Sequence, residues 1–173
     1  ICSTNSTVSE LLMASLMVIL PTAHKALSEA FRIVFSQMRL SNSKEVIDFA
    51  TLTGACMVAL GNERSGLFSN KDEIANKLIE SAKRTGEQLW YLPIGEEYTE
   101  ANKSEVADIK NLGGVGGPWV GGASTAAAFL HFFTDYPWAH IDLSSSYFGG
   151  KGKPWIRGGA NGFGVQTMIE YLK

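Results

Sequence analysis

Apolar positions in this chain fall into two patterns, short unbroken runs and stripes spaced three and four residues apart. The first run, Leu11 to Leu20, reads LLMASLMVIL and is stopped by Pro21. It is too short to cross a bilayer, and no basic segment precedes it as in a signal peptide. A buried strand or core helix is the expected outcome. The run Val46 to Phe49 leads into Thr51-Leu52-Thr53-Gly54. An apolar run bounded by turn chemistry predicts a strand buried on both faces, and Gly54 lets the backbone turn sharply beside a ligand. Gly66 to Ser69 and Trp138 to Leu143 predict two further strands. Trp90 to Ile94 contains Pro93, which confines it to a sheet edge or a loop.

The helical stripes lie between these runs. Ser28 is a candidate cap for a helix whose Phe31, Val34, Phe35 and Met38 share one face. Cys56 to Leu60 predicts a short buried helix stopped by Gly61. Asn70 and Glu73 have capping-box spacing before a helix with Ile74, Leu78 and Ala82 inward and Gly86 at its end. Glu96 to Lys110 is polar and helical at first. Gly113 to Gly122 holds six glycines around Pro118 and Trp119, a loop able to cover a site or meet a partner. Ser124 to Thr134 predicts a helix whose alanines permit close packing on a sheet. Val165, Met168, Ile169 and Leu172 predict the inward stripe of a last helix. Alternating strands and helices with no internal repeat predict one α/β domain over residues 1–173.

Charge narrows the partners. Lys and Arg number 15 against 17 Asp and Glu, a net charge of -2. That balance lacks the basic field that nucleic acid or an anionic membrane requires. Cys2 and Cys56 form neither a metal pattern nor a disulfide framework, which fits a reduced, cytosolic setting. A chain beginning at Ile1 reads as a piece of a longer product.

The residues show no complete active site by themselves. His140 and Asp142 leave one face of a strand; they could bind a metal or act as acid and base, and a buried hydrogen-bonded pair is expected. Asp48 and Asp108 read as structural acceptors, and His24 and His131 have no visible partner. The glycines match neither a P-loop nor a dinucleotide fingerprint, and no Gly-x-Ser-x-Gly elbow occurs.

Taken together, several blocks do carry a family likeness. VIDFATLTGACMVAL (Val46 to Leu60), Gly66-Leu67-Phe68-Ser69-Asn70, Trp90-Tyr91-Leu92-Pro93, Ala107-Asp108-Ile109-Lys110-Asn111, Ser124 to Leu130 and Trp138-Ala139-His140-Ile141-Asp142 resemble the leucyl (cytosol) aminopeptidase family in order and spacing. The likeness runs from about Ser28 onward; residues 1–27 match poorly. It implies a mixed, largely parallel sheet flanked by helices, the C-terminal part of a metallo-aminopeptidase catalytic domain. It also implies a two-metal exopeptidase that removes large apolar N-terminal residues, with paired divalent cations (Zn or Mn) generating the nucleophile, hexameric assembly and a cytoplasmic location.

The resemblance implies substrate-lining roles for Thr51, Leu52, Gly54, Leu112, Ser144 and Tyr147. The Leu52 carbonyl and Gly54 amide would hydrogen-bond the peptide. Leu112 would line the pocket beyond the scissile bond, and Ser144 and Tyr147 the pocket for the N-terminal side chain. Thr51 to Gly54 and Ser144 to Tyr147 are expected side by side at the carboxyl ends of neighbouring strands. No catalytic and no metal residue carries over. The family's ligand motif, Asn-Thr-Asp-Ala-Glu-Gly-Arg, would fall at Pro21 to Leu27, where Ala23, Lys25 and Leu27 replace its Asp, Glu and Arg. This chain alone is therefore expected to bind no metal pair and to be inactive. The alternative is a non-catalytic homologue with an assembly or regulatory role.

Overall fold

The computed structural model describes residues 12–15, 44–114, 120–145, 148–149 and 159–173. The predicted helix from Ser28 to Met38, the remainder of the run to Leu20 and His24 lie outside them. Five strands form the main sheet: β1 (Leu12–Ser15), β2 (Val46–Ala50), β3 (Ser65–Ser69), β4 (Leu89–Tyr91) and β5 (Trp138–Asp142). Their order is β1-β2-β5-β3-β4. β1, β2 and β5 run parallel, β3 is antiparallel to β5, and β4 is parallel to β3. The sheet is mixed and largely parallel, as expected. Two short strands, β6 (Phe148–Gly149) and β7 (Gly159–Ala160), pair separately.

Period-two alternation sends successive side chains of the buried strands to opposite faces. Ile47, Leu67, Ala139 and Ile141 pack with Ile74, Leu78, Ala82, Met168 and Tyr171. The latter come from α2 (Asp72–Thr85) and α5 (Val165–Tyr171). Val46, Phe68 and Trp138 face the other way, against Cys56, Ala127 and Leu130. Those belong to α1 (Gly54–Leu60) and α4 (Gly122–His131). Gly66 in β3 allows the close approach on this side, because a Cβ there would lie 2.7 Å from the Cys56 Sγ. α3 (Glu96–Ala101) packs against α4.

Three local expectations need correction. Asn70 does not cap α2. Its Oδ1 accepts from the Trp138 amide and its Nδ2 donates to the Tyr136 carbonyl, at 2.8 Å each. Tertiary partners outcompete the local cap, and Lys71 stands at the N-cap with no side-chain hydrogen bond to the first turn. In α1 only Cys56 is buried, while Met57 and Val58 are exposed. The apolar stripe of α5 is also displaced. Thr167, Met168 and Tyr171 face inward, whereas Val165, Ile169 and Leu172 are exposed. Glu87 accounts for the rotation, since its Oε2 accepts from the Thr167 amide at 2.8 Å and hydroxyl at 2.6 Å. Tyr171 donates to Glu45 from the same inward face.

Candidate functional site

β2 and β5 are neighbours in register, with Ala50 opposite Asp142. Because they run parallel, the segments that follow them emerge at one edge of the sheet. Thr51 to Thr53 follows β2 and begins α1; Leu143 to Ser145 follows β5 as a 3-10 turn. The Asp142 carboxylate joins the two. Its Oδ1 accepts from the Leu52 amide at 3.1 Å and the Ser144 amide at 3.0 Å. Its Oδ2 accepts from the Thr53 amide at 3.1 Å and the Thr53 hydroxyl at 2.8 Å. The Thr53 hydroxyl in turn accepts from the Cys56 amide at 3.0 Å, capping α1.

The expected His140–Asp142 pair is replaced by two separate arrangements. Both side chains leave the same face, but two residues along a strand are about 6.7 Å apart, and each finds a cross-strand partner first. His140 lies opposite Asp48 and its Nδ1 bonds Asp48 Oδ1 at 2.5 Å. Trp138 Nε1 donates to Asp48 Oδ2 at 2.6 Å. Phe68 and Trp138 stack on the imidazole, with ring centroids 5.9 Å and 6.3 Å away. Burial depresses the His140 pKa, but the Asp48 charge, the bond to Asp48 and the Asp142 charge outweigh it, so the ring sits above its ordinary value. Asp48 is thus the structural acceptor the sequence indicated.

Of the residues implied to line the substrate, Thr51, Leu52, Gly54 and Ser144 come together around Asp142. Gly54 is exposed, and Thr51 and Leu52 are half-buried. The Ser144 hydroxyl is buried with no hydrogen-bond partner among the described residues. Leu112 is 79% exposed and is not among the residues hydrogen-bonded to Asp142. Its loop is tethered toward α4, with the Lys110 amide on the Asn102 carbonyl at 2.7 Å and Asn102 Nδ2 on the Thr125 carbonyl at 2.8 Å. Tyr147 lies outside the described residues. Asp142 was missed as an organiser, although an Asp whose carboxylate takes the amide two residues on is an Asx-turn signal.

The described residues do not fit a metal pair. They contain no group of three His, Cys, Asp or Glu that could hold an ion. Asp48 faces two buried donors, and both Asp142 oxygens face N–H or O–H groups. A cation there would meet hydrogens rather than lone pairs. The opposite edge carries a cleft of about 670 Å3 lined by Asn70, Asp72, Tyr91, Glu96 and His131 among others. Four of its polar side chains pair with one another. Asn70 Nδ2 lies 3.2 Å from His131 Nε2, and burial lowers the His131 pKa, so the neutral ring accepts. Tyr91 donates to Asp72 at 2.9 Å.

A sequence profile of the cytosol aminopeptidase family's catalytic domain matches residues 30–169. A probable cytosol aminopeptidase of Prochlorococcus marinus (strain AS9601) is 45% identical over 134 residues, covering 76% of this chain and 26% of the relative. One from Cenarchaeum symbiosum (strain A) is 48% identical over 133 residues, covering 75% and 27%. The solved structure of a mutant tomato leucine aminopeptidase superposes with a TM-score of 0.73 at 37% identity, covering 82% of this chain and 27% of that one. The chain spans about a quarter of the length of these relatives.

Proposed function

Because this chain belongs to the cytosol aminopeptidase family, we propose that it supplies the substrate-lining part of a two-metal aminopeptidase that releases large apolar N-terminal residues from peptides. One observation carries the reading. Asp142 gathers the Thr51–Gly54 turn and Ser144 at the carboxyl ends of adjacent parallel strands, where α/β sheets hold their ligands. The Leu52 carbonyl would accept from the peptide and the exposed Gly54 amide would donate to it. Ser144 and Tyr147 would line the pocket for the N-terminal side chain, and Leu112 the pocket beyond the scissile bond. The Ser144 hydroxyl, without a partner among the described residues, would give the pocket for the N-terminal side chain a polar point.

Two divalent cations would polarise the scissile carbonyl and activate the attacking water. Their ligands would lie outside the described residues, because Asp48 and Asp142 are already occupied by N–H and O–H donors. Cytoplasmic, homo-oligomeric function belongs to the same reading. No described helix is long and apolar enough to cross a membrane. A second reading, a non-catalytic homologue with an assembly or regulatory role, is favoured by Ala23, Lys25 and Leu27 at the motif positions and by a profile match that starts only at residue 30.

The test is Gly54→Val in the full-length protein. A branched side chain beside the backbone contact should raise KM for a leucyl peptide about tenfold or more, the equivalent of roughly 1.4 kcal/mol of lost binding. An unchanged KM would remove this turn from the substrate site, and absence of any peptide turnover in the wild type would favour the second reading.

A further inference from the structure

We propose that Asp142 is a positioning residue for peptide binding, fixing the direction of the Leu52 carbonyl and Gly54 amide and coupling them to the Ser144 pocket. The inference rests on the reading that this turn lines the substrate. Its basis is the planarity of the peptide bond, which in the trans form points N–H and C=O in opposite directions. The Thr53 amide is held on Asp142 Oδ2. The Leu52–Thr53 peptide plane is therefore set, and the Leu52 carbonyl is turned away from Asp142. Gly54 follows Thr53, whose extended backbone (φ -136, ψ 137) is clamped by a hydroxyl that donates to Asp142 and accepts from Cys56. The direction of the Gly54 amide follows from that clamp.

Only a short carboxylate fits this position. Asp142 is fully buried and meets four donors with its two oxygens. Asparagine would turn an NH2 group toward two of those donors. Oδ1 adds the coupling, because one oxygen holds both the Leu52 amide and the Ser144 amide. A shift of the substrate-facing backbone is thereby transmitted to the side-chain pocket. Nothing about this role needs Asp142 to touch the peptide or to change protonation.

The experiment compares Asp142→Asn, Thr53→Val, Thr53→Ser and Gly54→Val in the full-length protein, with amide exchange and leucyl-peptide kinetics. Asp142→Asn should speed exchange at Leu52, Thr53 and Ser144 and leave the rest of β2 and β5 protected. It should raise KM about tenfold or more with kcat within about threefold, the signature of lost binding common to ground and transition states. Thr53→Val should do the same more weakly, and Thr53→Ser, which keeps the hydroxyl, should restore wild-type behaviour. The proposal is overturned if KM does not move in Asp142→Asn. It is equally overturned if exchange accelerates throughout both strands, which marks a merely structural role. Should Asp142→Asn not fold, Thr53→Val decides by the same criteria. If Gly54→Val leaves KM unchanged, the reading of the turn itself fails; if it raises KM while Asp142→Asn does not, only the positioning role fails.

Discussion

At the residue scale, Asp48 holds two buried donors from one neighbouring strand. Its loss would strand both, and removing one partner of a buried ionic pair costs about 3–5 kcal/mol. Asp48→Ala should lower stability by an amount in that range. The His140 ring adds a pH dependence whose sign follows from its raised pKa. A histidine whose folded pKa exceeds its unfolded value, about 6.5, stabilises the fold fully below that unfolded value. The contribution fades as pH rises through the folded value. Urea denaturation from about pH 6 to about pH 9 should therefore show a wild-type stability decline that His140→Gln flattens. A wild type that gains stability over this interval relative to His140→Gln would contradict the assignment.

At the scale of elements, α5 separates sequence pattern from packing. Met168 is 2% exposed against the α2 face of the sheet, while Ile169 beside it is 59% exposed. Met168→Ala should cost about 2–5 kcal/mol by leaving a cavity. Ile169→Lys should stay within about 0.5 kcal/mol, as surface substitutions do. Thermal unfolding of the two variants checks the pair, and similar losses in both would restore the stripe read from the sequence. The same comparison tests the polar anchors that set the helix's rotation, Glu87 on Thr167 and Glu45 on Tyr171.

Across the whole molecule, the mixed sheet gives its two edges different characters. β2 and β5 deliver Thr51 to Gly54 and Ser144 to one edge, whereas antiparallel β3 delivers Ser69 and Asn70 to the other. Apolar side chains also remain outward on two helices, Met57 and Val58 on α1 and Val165 and Ile169 on α5, with Leu172 at the α5 C-cap. Exposed apolar surface of this kind favours association. We expect the 173-residue chain to self-associate at low micromolar concentration, with a weight-average mass that rises with concentration in sedimentation. A monomer throughout that range would count against this expectation.

The elements themselves were legible in the sequence, because runs and stripes are local properties of the chain. The strands from Val46, Gly66 and Trp138 and the α2 helix ending at Gly86 are where their patterns place them. So is the adjacency of the Thr51–Gly54 turn to Ser144, which two apolar strands entering one parallel sheet foreshadow. What tertiary structure decided was the pairing of polar groups. Asp48 meets His140 across 92 positions of sequence, and Asp142 meets Leu52 across 90. Asn70 exchanges a local cap for Trp138. A buried polar atom takes whichever partner strand register brings within about 3 Å, and register is set by the packing of the entire sheet, which no local pattern contains.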